Sequence, residues 1–145
     1  MWNIEINSLL TRGMIVREYN VILFFLNHCM ATILVTGGTG MIGKALCEDL
    51  LKKKYKLIVL TREPGKYSGT GDIRYEKWDP QQGVFSADAF SQADHIIHLA
   101  GAGIADQRWS KKRKKEILES RVKAGELLVK AIKEVPNKIQ SLISA

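Results

Sequence analysis

The chain has 145 residues, 46% of them apolar and 26% charged, with 22 Lys and Arg against 15 Asp and Glu for a net charge of +7. That length supports one domain with a real core rather than two, and the apolar and charged shares are ordinary for a globular protein. Two cysteines exclude a disulfide framework, no Cys/His spacing suggests zinc, and the basic bias alone names no partner.

Residues 1–29 read as an extension ahead of a domain that spans 30–145 and opens at Met30. Arg12 and Arg17 precede the apolar run Val21 to Leu26, a weak signal-peptide pattern, but Asn27-His28 interrupts it and no small-x-small cleavage site follows. A membrane span needs about 20 mostly apolar residues and would have to include the GGTG punctuation. With Cys29 and Cys47 read as reduced thiols, the expectation is a cytoplasmic protein without membrane association.

From Thr32 onward, strand and helix patterns alternate. ATILVTG is a β-branched run ending in glycine, hence a buried strand. Met41 to Lys53 predicts a helix whose apolar face is Ile42, Leu46 and Leu50, widened by Leu51. Lys56 to Thr61 is a second buried strand, and Glu63 to Gly71 a loop. A third strand is expected in Asp72 to Trp78, then a short helix near Phe85 to Gln92, then a fourth strand in HIIHLAG, His95 to Gly101. In the longest helix, Leu118, Val122, Gly125, Val129 and Ile132 recur with the period of one buried face. Pro136-Asn137 ends it, and SLISA begins a fifth strand. The fold class is therefore α/β: a Rossmann-like parallel sheet covered by helices on both faces, in the order 3-2-1-4-5, truncated after strand 5. The crevice falls between strands 1 and 4.

The chemistry concentrates in Gly38-Thr39-Gly40-Met41-Ile42-Gly43 between the first strand and the first helix. Small residues there let backbone approach a phosphate, and the helix start offers unpaired N–H groups. The same stretch runs into Lys44, as in an ATP-binding P-loop, but the next residue is Ala45, which has no oxygen for Mg²⁺. A dinucleotide turn fits better. It usually takes an Asp or Glu at the end of strand 2 for the ribose 2′-hydroxyl. Thr61-Arg62 stands there, and arginine suits the 2′-phosphate of NADP. Glu63, one residue later, leaves NAD as the alternative.

Other constellations carry less. His95 and His98 are three apart in a strand and face opposite sides, which argues against a shared metal. Asp79, Asp94 and Asp106 are spread over loops with nothing to pair them. Lys111 to Lys115, KKRKK, reads as the solvated start of a helix rather than a nucleic-acid patch, because no aromatics except Trp109 surround it.

Taken together, ILVTGGTGMIG (Ile33 to Gly43), LTR (Leu60 to Arg62), WDP (Trp78 to Pro80), IIHLAG (Ile96 to Gly101), Ile104, Arg108-Trp109, KKEILESRV (Lys114 to Val122) and the terminal LISA form an ordered set. The set resembles the atypical short-chain dehydrogenase/reductase family, of the NAD-dependent epimerase/dehydratase-like or nucleoside-diphosphate-sugar epimerase-like kind, over essentially all of Ala31 to Ala145. The resemblance implies that Gly37, Gly40 and Gly43 form the pyrophosphate turn. It sets Thr39, Gly40, Met41 and Ile42 against the phosphates, Arg62 near the adenosine phosphate, and His98, Leu99, Ala100 and Gly101 along the cofactor. Ala124-Gly125 departs from the Gly-Thr such proteins tend to carry. Relatives of this kind are about twice as long, with a tyrosine-containing catalytic stretch and a substrate region after strand 5. The expectation is thus the NADP(H)-binding portion of an epimerase/dehydrogenase-like oxidoreductase, catalytically incomplete as given, with no metal, no nucleic acid, and a small-molecule substrate only in a full-length relative. The alternative is a non-catalytic nucleotide-sensing or partner-binding protein that self-associates through its open sheet edge.

Overall fold

The computed structural model describes residues 31–103 and 110–145. Expectations for residues 1–29, and for Ile104, Asp106, Arg108 and Trp109, fall outside the described residues.

In chain order the elements are β1 (Thr32–Thr36), α1 (Met41–Lys52), β2 (Lys56–Thr61), a 3-10 turn (Pro64–Lys66), β3 (Ile73–Asp79), β4 (Val84–Phe85), α2 (Ala87–Gln92), β5 (His95–His98), α3 (Lys111–Glu134) and β6 (Ser141–Ser144). The strands form one six-stranded sheet in the order β4-β3-β2-β1-β5-β6. β3, β2, β1, β5 and β6 run parallel. This is the expected 3-2-1-4-5 order, with the fourth and fifth expected strands appearing as β5 and β6.

The expectation of a wholly parallel sheet needs correction, because β4 pairs antiparallel with β3 through Trp78↔Phe85 and Asp79↔Val84. The cause is local. The Asp79 carboxylate accepts from the backbone N–H groups of Gln81 (3.0 Å) and Gln82 (3.4 Å), which turns the chain back on itself. Phe85 is consequently in a strand, and the helix expected from Phe85 starts at Ala87.

Alternation along the strands sends side chains to two apolar layers. Leu34, Ile58, Leu60, Trp78 and Ile96 meet Ala89 and Phe90 of α2, with Ala93, and Ala124, Leu127, Leu128 and Ala131 of α3. On the opposite face Ile33, Val35, Leu57 and Val59 meet Cys47, Leu50 and Leu51 of α1.

Both long helices turn part of the expected apolar face away from the core, while Leu50 and Leu51 of α1 and Ile132 of α3 pack on it as expected. In α3 the buried positions are Ala124, Leu127, Leu128 and Ala131, while Leu118 (64%), Val122 (48%) and Val129 (48%) are exposed. Two stripes on that helix have apolar periodicity, and the one with alanines wins because small side chains let the helix lie close to the sheet. In α1, Gly43 and Cys47 are buried and Ile42 is 70% exposed. Arg113 also departs from a solvated helix start. It is buried, with Nη2 donating to Gly103 O (2.6 Å) and Nη1 paired with Glu116 (2.9 Å). Ser110 caps this helix by accepting from the Arg113 N–H at 3.1 Å.

At the far side of the sheet β6 is exposed along its whole length, including Leu142 and Ile143.

Candidate functional site

β1 and β5 are neighbours, but the chain leaves them toward opposite faces. After β1 it enters α1, which packs on one layer, and after β5 it continues to α3, which packs on the other. The crevice outside their carboxyl ends is where ligands of open α/β sheets collect.

Sequence-predicted residues from two separate stretches meet there. Gly37 has φ +75°, and a Cβ on it would stand 2.8 Å from the Leu99 carbonyl carbon and 2.9 Å from the Ala100 nitrogen. Only glycine allows β5's continuation to press this closely on the loop. Gly40 N–H donates to Gly37 O at 3.0 Å, closing a tight turn. A Cβ on Gly43 would overlap the Gly37 carbonyl oxygen and stand 2.6 Å from the Gly38 Cα. The first turn of α1 therefore lies against the loop as tightly as bare backbone permits.

That first turn has no side-chain cap on Gly40 and no acidic residue. Its early N–H groups and the positive end of the helix dipole are thus available to an anion. Thr39 is half-buried, Gly40 is exposed, and Met41 and Ile42 are 87% and 70% exposed beside them. The apolar side chains of Met41 and Ile42 serve no core, which gives the loop an apolar rim.

The end of β5 is fixed by a buried polar pair that the sequence did not reveal. Thr36 and His98 lie on the same sheet face, and Thr36 Oγ1 is 2.6 Å from His98 Nδ1. The same hydroxyl accepts from Ala100 N–H at 3.2 Å, and Leu99 N–H donates to Thr36 O at 3.0 Å. The buried hydroxyl proton needs an acceptor, so the network assigns Nδ1 of a neutral ring as acceptor and puts the ring proton on Nε2. Burial pushes the His98 imidazole below its ordinary range. His95, on the other face, bonds Ser141 at 2.9 Å, so the two histidines do not converge.

The sign of the pH effect follows from that direction. An unfolded chain protonates His98 near pH 6.5 while the folded chain resists, so stability present above about pH 6.5 is lost as pH falls through the folded-state value. Urea unfolding between pH 7.5 and 5.5 is expected to show this loss. His98→Asn is expected to flatten the slope over the same window, and an unchanged slope would contradict the assignment.

Past Ala100, α3 supplies further contacts that sequence reasoning missed. Ala102 N–H donates to Ser120 Oγ (3.0 Å), Arg121 Nη1 to Ala102 O (3.3 Å) and Arg113 to Gly103 O. The Arg121 side chain lies against the exposed Gly101. The signal was present in the spacing of Arg113, Ser120 and Ala124, which share one helical face.

Arg62 stands apart from these groups. It is exposed just beyond the end of β2, and no hydrogen bond joins it to the glycine loop among the described residues. The neighbouring Glu63 is engaged by Lys66 at 2.7 Å, and that hydrogen bond with its charge holds the Glu63 carboxyl below the usual range. A shallow depression on the outer side of α3, lined by Gly125, Glu126, Val129, Lys130, Lys133 and Glu134, involves none of the crevice residues. Among the described residues there is no group of three His, Cys, Asp or Glu able to hold a metal. No helix among them is long and apolar enough to cross a membrane.

Known proteins are similar to this chain over about three quarters of its length. The family model described as "NAD dependent epimerase/dehydratase family" matches residues 33–145. "Epimerase family protein SDR39U1" of Homo sapiens is 34% identical over 106 residues, covering 72% of this chain and 32% of that protein. "Epimerase family protein ML0860" of Mycobacterium leprae (strain TN) is 28% identical over 104 residues, again with 72% and 32% covered. The chain thus spans about a third of the length of these relatives. Among solved structures, human SDR39U1 (isoform 2) with NADPH is 31% identical with a TM-score of 0.59, covering 78% of this chain and 35% of that one. MoeE5 in complex with UDP-glucose and NAD is 25% identical with a TM-score of 0.61, covering 79% and 36%.

Proposed function

The chain belongs to the NAD dependent epimerase/dehydratase family, and from that premise we propose that it is the NADP(H)-binding portion of an epimerase/dehydrogenase-like oxidoreductase. One observation carries the reading: the uncapped, acid-free start of α1, held against Gly37 by the absence of a side chain at Gly43. Two relatives support it, since one is described with NADPH and the other with NAD.

In this reading the pyrophosphate lies on the N–H groups of Met41 to Gly43, with Gly40 and Thr39 beside it and the side chains of Met41 and Ile42 shielding its apolar side. Arg62 faces the adenosine phosphate. His98 to Gly101 form the wall along the ribose and nicotinamide, kept in place by Thr36. The bound nicotinamide would supply hydride transfer, and the protein supplies position and electrostatics. No catalytic acid or base is assigned. Tyr67 and Tyr75 stack on each other with centroids 4.8 Å apart, on the β3 side of the sheet, and neither belongs to the crevice set.

Titration of the chain with NADPH and NADH at matched ionic strength tests the reading. NADPH is expected to bind tighter, and Arg62→Ala is expected to weaken NADPH about tenfold while leaving NADH nearly unchanged. Binding of neither nucleotide overturns the cofactor, and equal binding of both overturns the role of Arg62.

A further inference from the structure

Parallel pairing sets Lys77 of β3 opposite Thr61, the last residue of β2, immediately before Arg62. Its ammonium does not drift in solvent: Nζ donates to the Arg62 carbonyl oxygen at 2.7 Å. Ile73 and Tyr75 of the same strand pack on the layer that carries α1, and the two-residue period puts Lys77 on that face as well. It therefore shares a face with the helix that starts at the glycine loop.

Nearby acids are already occupied. Glu63 is held by Lys66 at 2.7 Å, and Asp79, on the same side of β3, turns an oxygen to the Gln81 and Gln82 N–H groups. Arg62, Lys66 and Lys77 thus stand against the carboxylates of Glu63 and Asp79, of which only Glu63 is paired with a cation, leaving one positive charge in excess. An ammonium has three donors, and the Arg62 carbonyl uses one.

We propose that Lys77 is a second specificity-determining residue which, with Arg62, selects a dinucleotide carrying a phosphate on its adenosine ribose. This rests on the dinucleotide reading above. A 2′-phosphate brings charge and acceptor oxygens to a site with two cations from adjacent strands, whereas a free 2′-hydroxyl brings neither. Lys77 also fixes the backbone from which Arg62 projects, so its two roles predict different outcomes. A purely structural brace would weaken both nucleotides together, and a phosphate contact changes their ratio.

The experiment titrates the wild-type chain, Lys77→Met and Lys77→Arg with NADPH and NADH, and with 2′-AMP and 5′-AMP as minimal probes, at low and high salt. Thermal melts of each variant accompany the titrations. Lys77→Met is expected to weaken NADPH and 2′-AMP about fivefold at low salt, less at high salt, with NADH and 5′-AMP within about twofold of wild type. Lys77→Arg is expected to keep most of the preference, which separates charge from a particular side-chain shape. An unchanged NADPH-to-NADH ratio in Lys77→Met overturns the proposal while leaving the dinucleotide reading intact. Failure of the wild-type chain to bind any of the four overturns both.

Discussion

Gly43→Ala is expected to cost about 2–3 kcal/mol of stability and to abolish measurable dinucleotide binding. On helix propensity alone the substitution is favourable by about 1 kcal/mol, so the sign depends on packing. The added Cβ would overlap the Gly37 carbonyl oxygen and sit 2.6 Å from the Gly38 Cα. Both are backbone atoms in a turn whose other side is pressed by Leu99 and Ala100. Nothing flexible can yield, so either α1 lifts from the sheet or the turn opens. Lifting α1 strips Cys47, Leu50 and Leu51 from Ile33, Val35, Leu57 and Val59. Opening the turn withdraws the N–H groups that the proposed pyrophosphate needs. Urea unfolding and an NADPH titration of the same preparation measure both effects. A variant as stable as wild type would show that the loop is looser than its geometry, and unaltered binding would remove the loop from the site.

The second large effect is expected at Phe90. This side chain is fully buried, 6.1 Å from Trp78 and 5.7 Å edge-on from Phe85 between ring centroids. It is the main anchor of α2, a helix of six residues too short to persist without tertiary contacts. Phe90→Ala removes the ring and leaves a cavity bounded by the sheet and α3, at a cost of about 3–5 kcal/mol. Phe90→Leu refills part of the volume and is expected to lose far less. Both are read by equilibrium unfolding. Near-equal losses in the two variants would mean that the aromatic contacts with Trp78 and Phe85, rather than volume, dominate. The loss should also loosen the β3–β4 hairpin, since Phe85 packs on Phe90 from β4.

What the sequence made legible was whatever depends on a local requirement. The loop from Gly37 to Gly43 was readable because a close backbone approach admits only glycine, and that demand leaves its mark at single positions. Strand order followed from apolar strand runs alternating with helices and the order that doubly wound sheets adopt. The faces of the helices were not readable to the same degree. In α3, Leu118, Val122 and Val129 give a stronger apolar signal than Ala124 and Ala131, yet the alanines face the sheet. Which stripe is buried is decided by distance to a partner surface, and sequence periodicity does not contain that distance. Arg113 was hidden for a similar reason: inside a run of five cations, the one that reaches Gly103 differs only by its place on the helix. β4 was missed because two residues are too short to show a period. Thr36 and His98 were each visible as strand residues, but their hydrogen bond joins positions 62 apart.

That separation bears on the order in which the molecule can assemble. β1 reaches β2 by closing a chain segment of roughly two dozen residues through α1, whereas its other edge waits for β5, 62 residues downstream. Loop-closure entropy rises slowly with length, but contacts of long range still arrive after those of short range. The β1–β2–β3 half can therefore form while the crevice edge of β1 remains open. On that reasoning the Thr36–His98 bond and the contact of Gly37 with Leu99 are expected to form in the later seam. A nucleotide bound across that seam would hold together two halves of the sheet that are made at different times, so ligand would slow unfolding most where folding finished last.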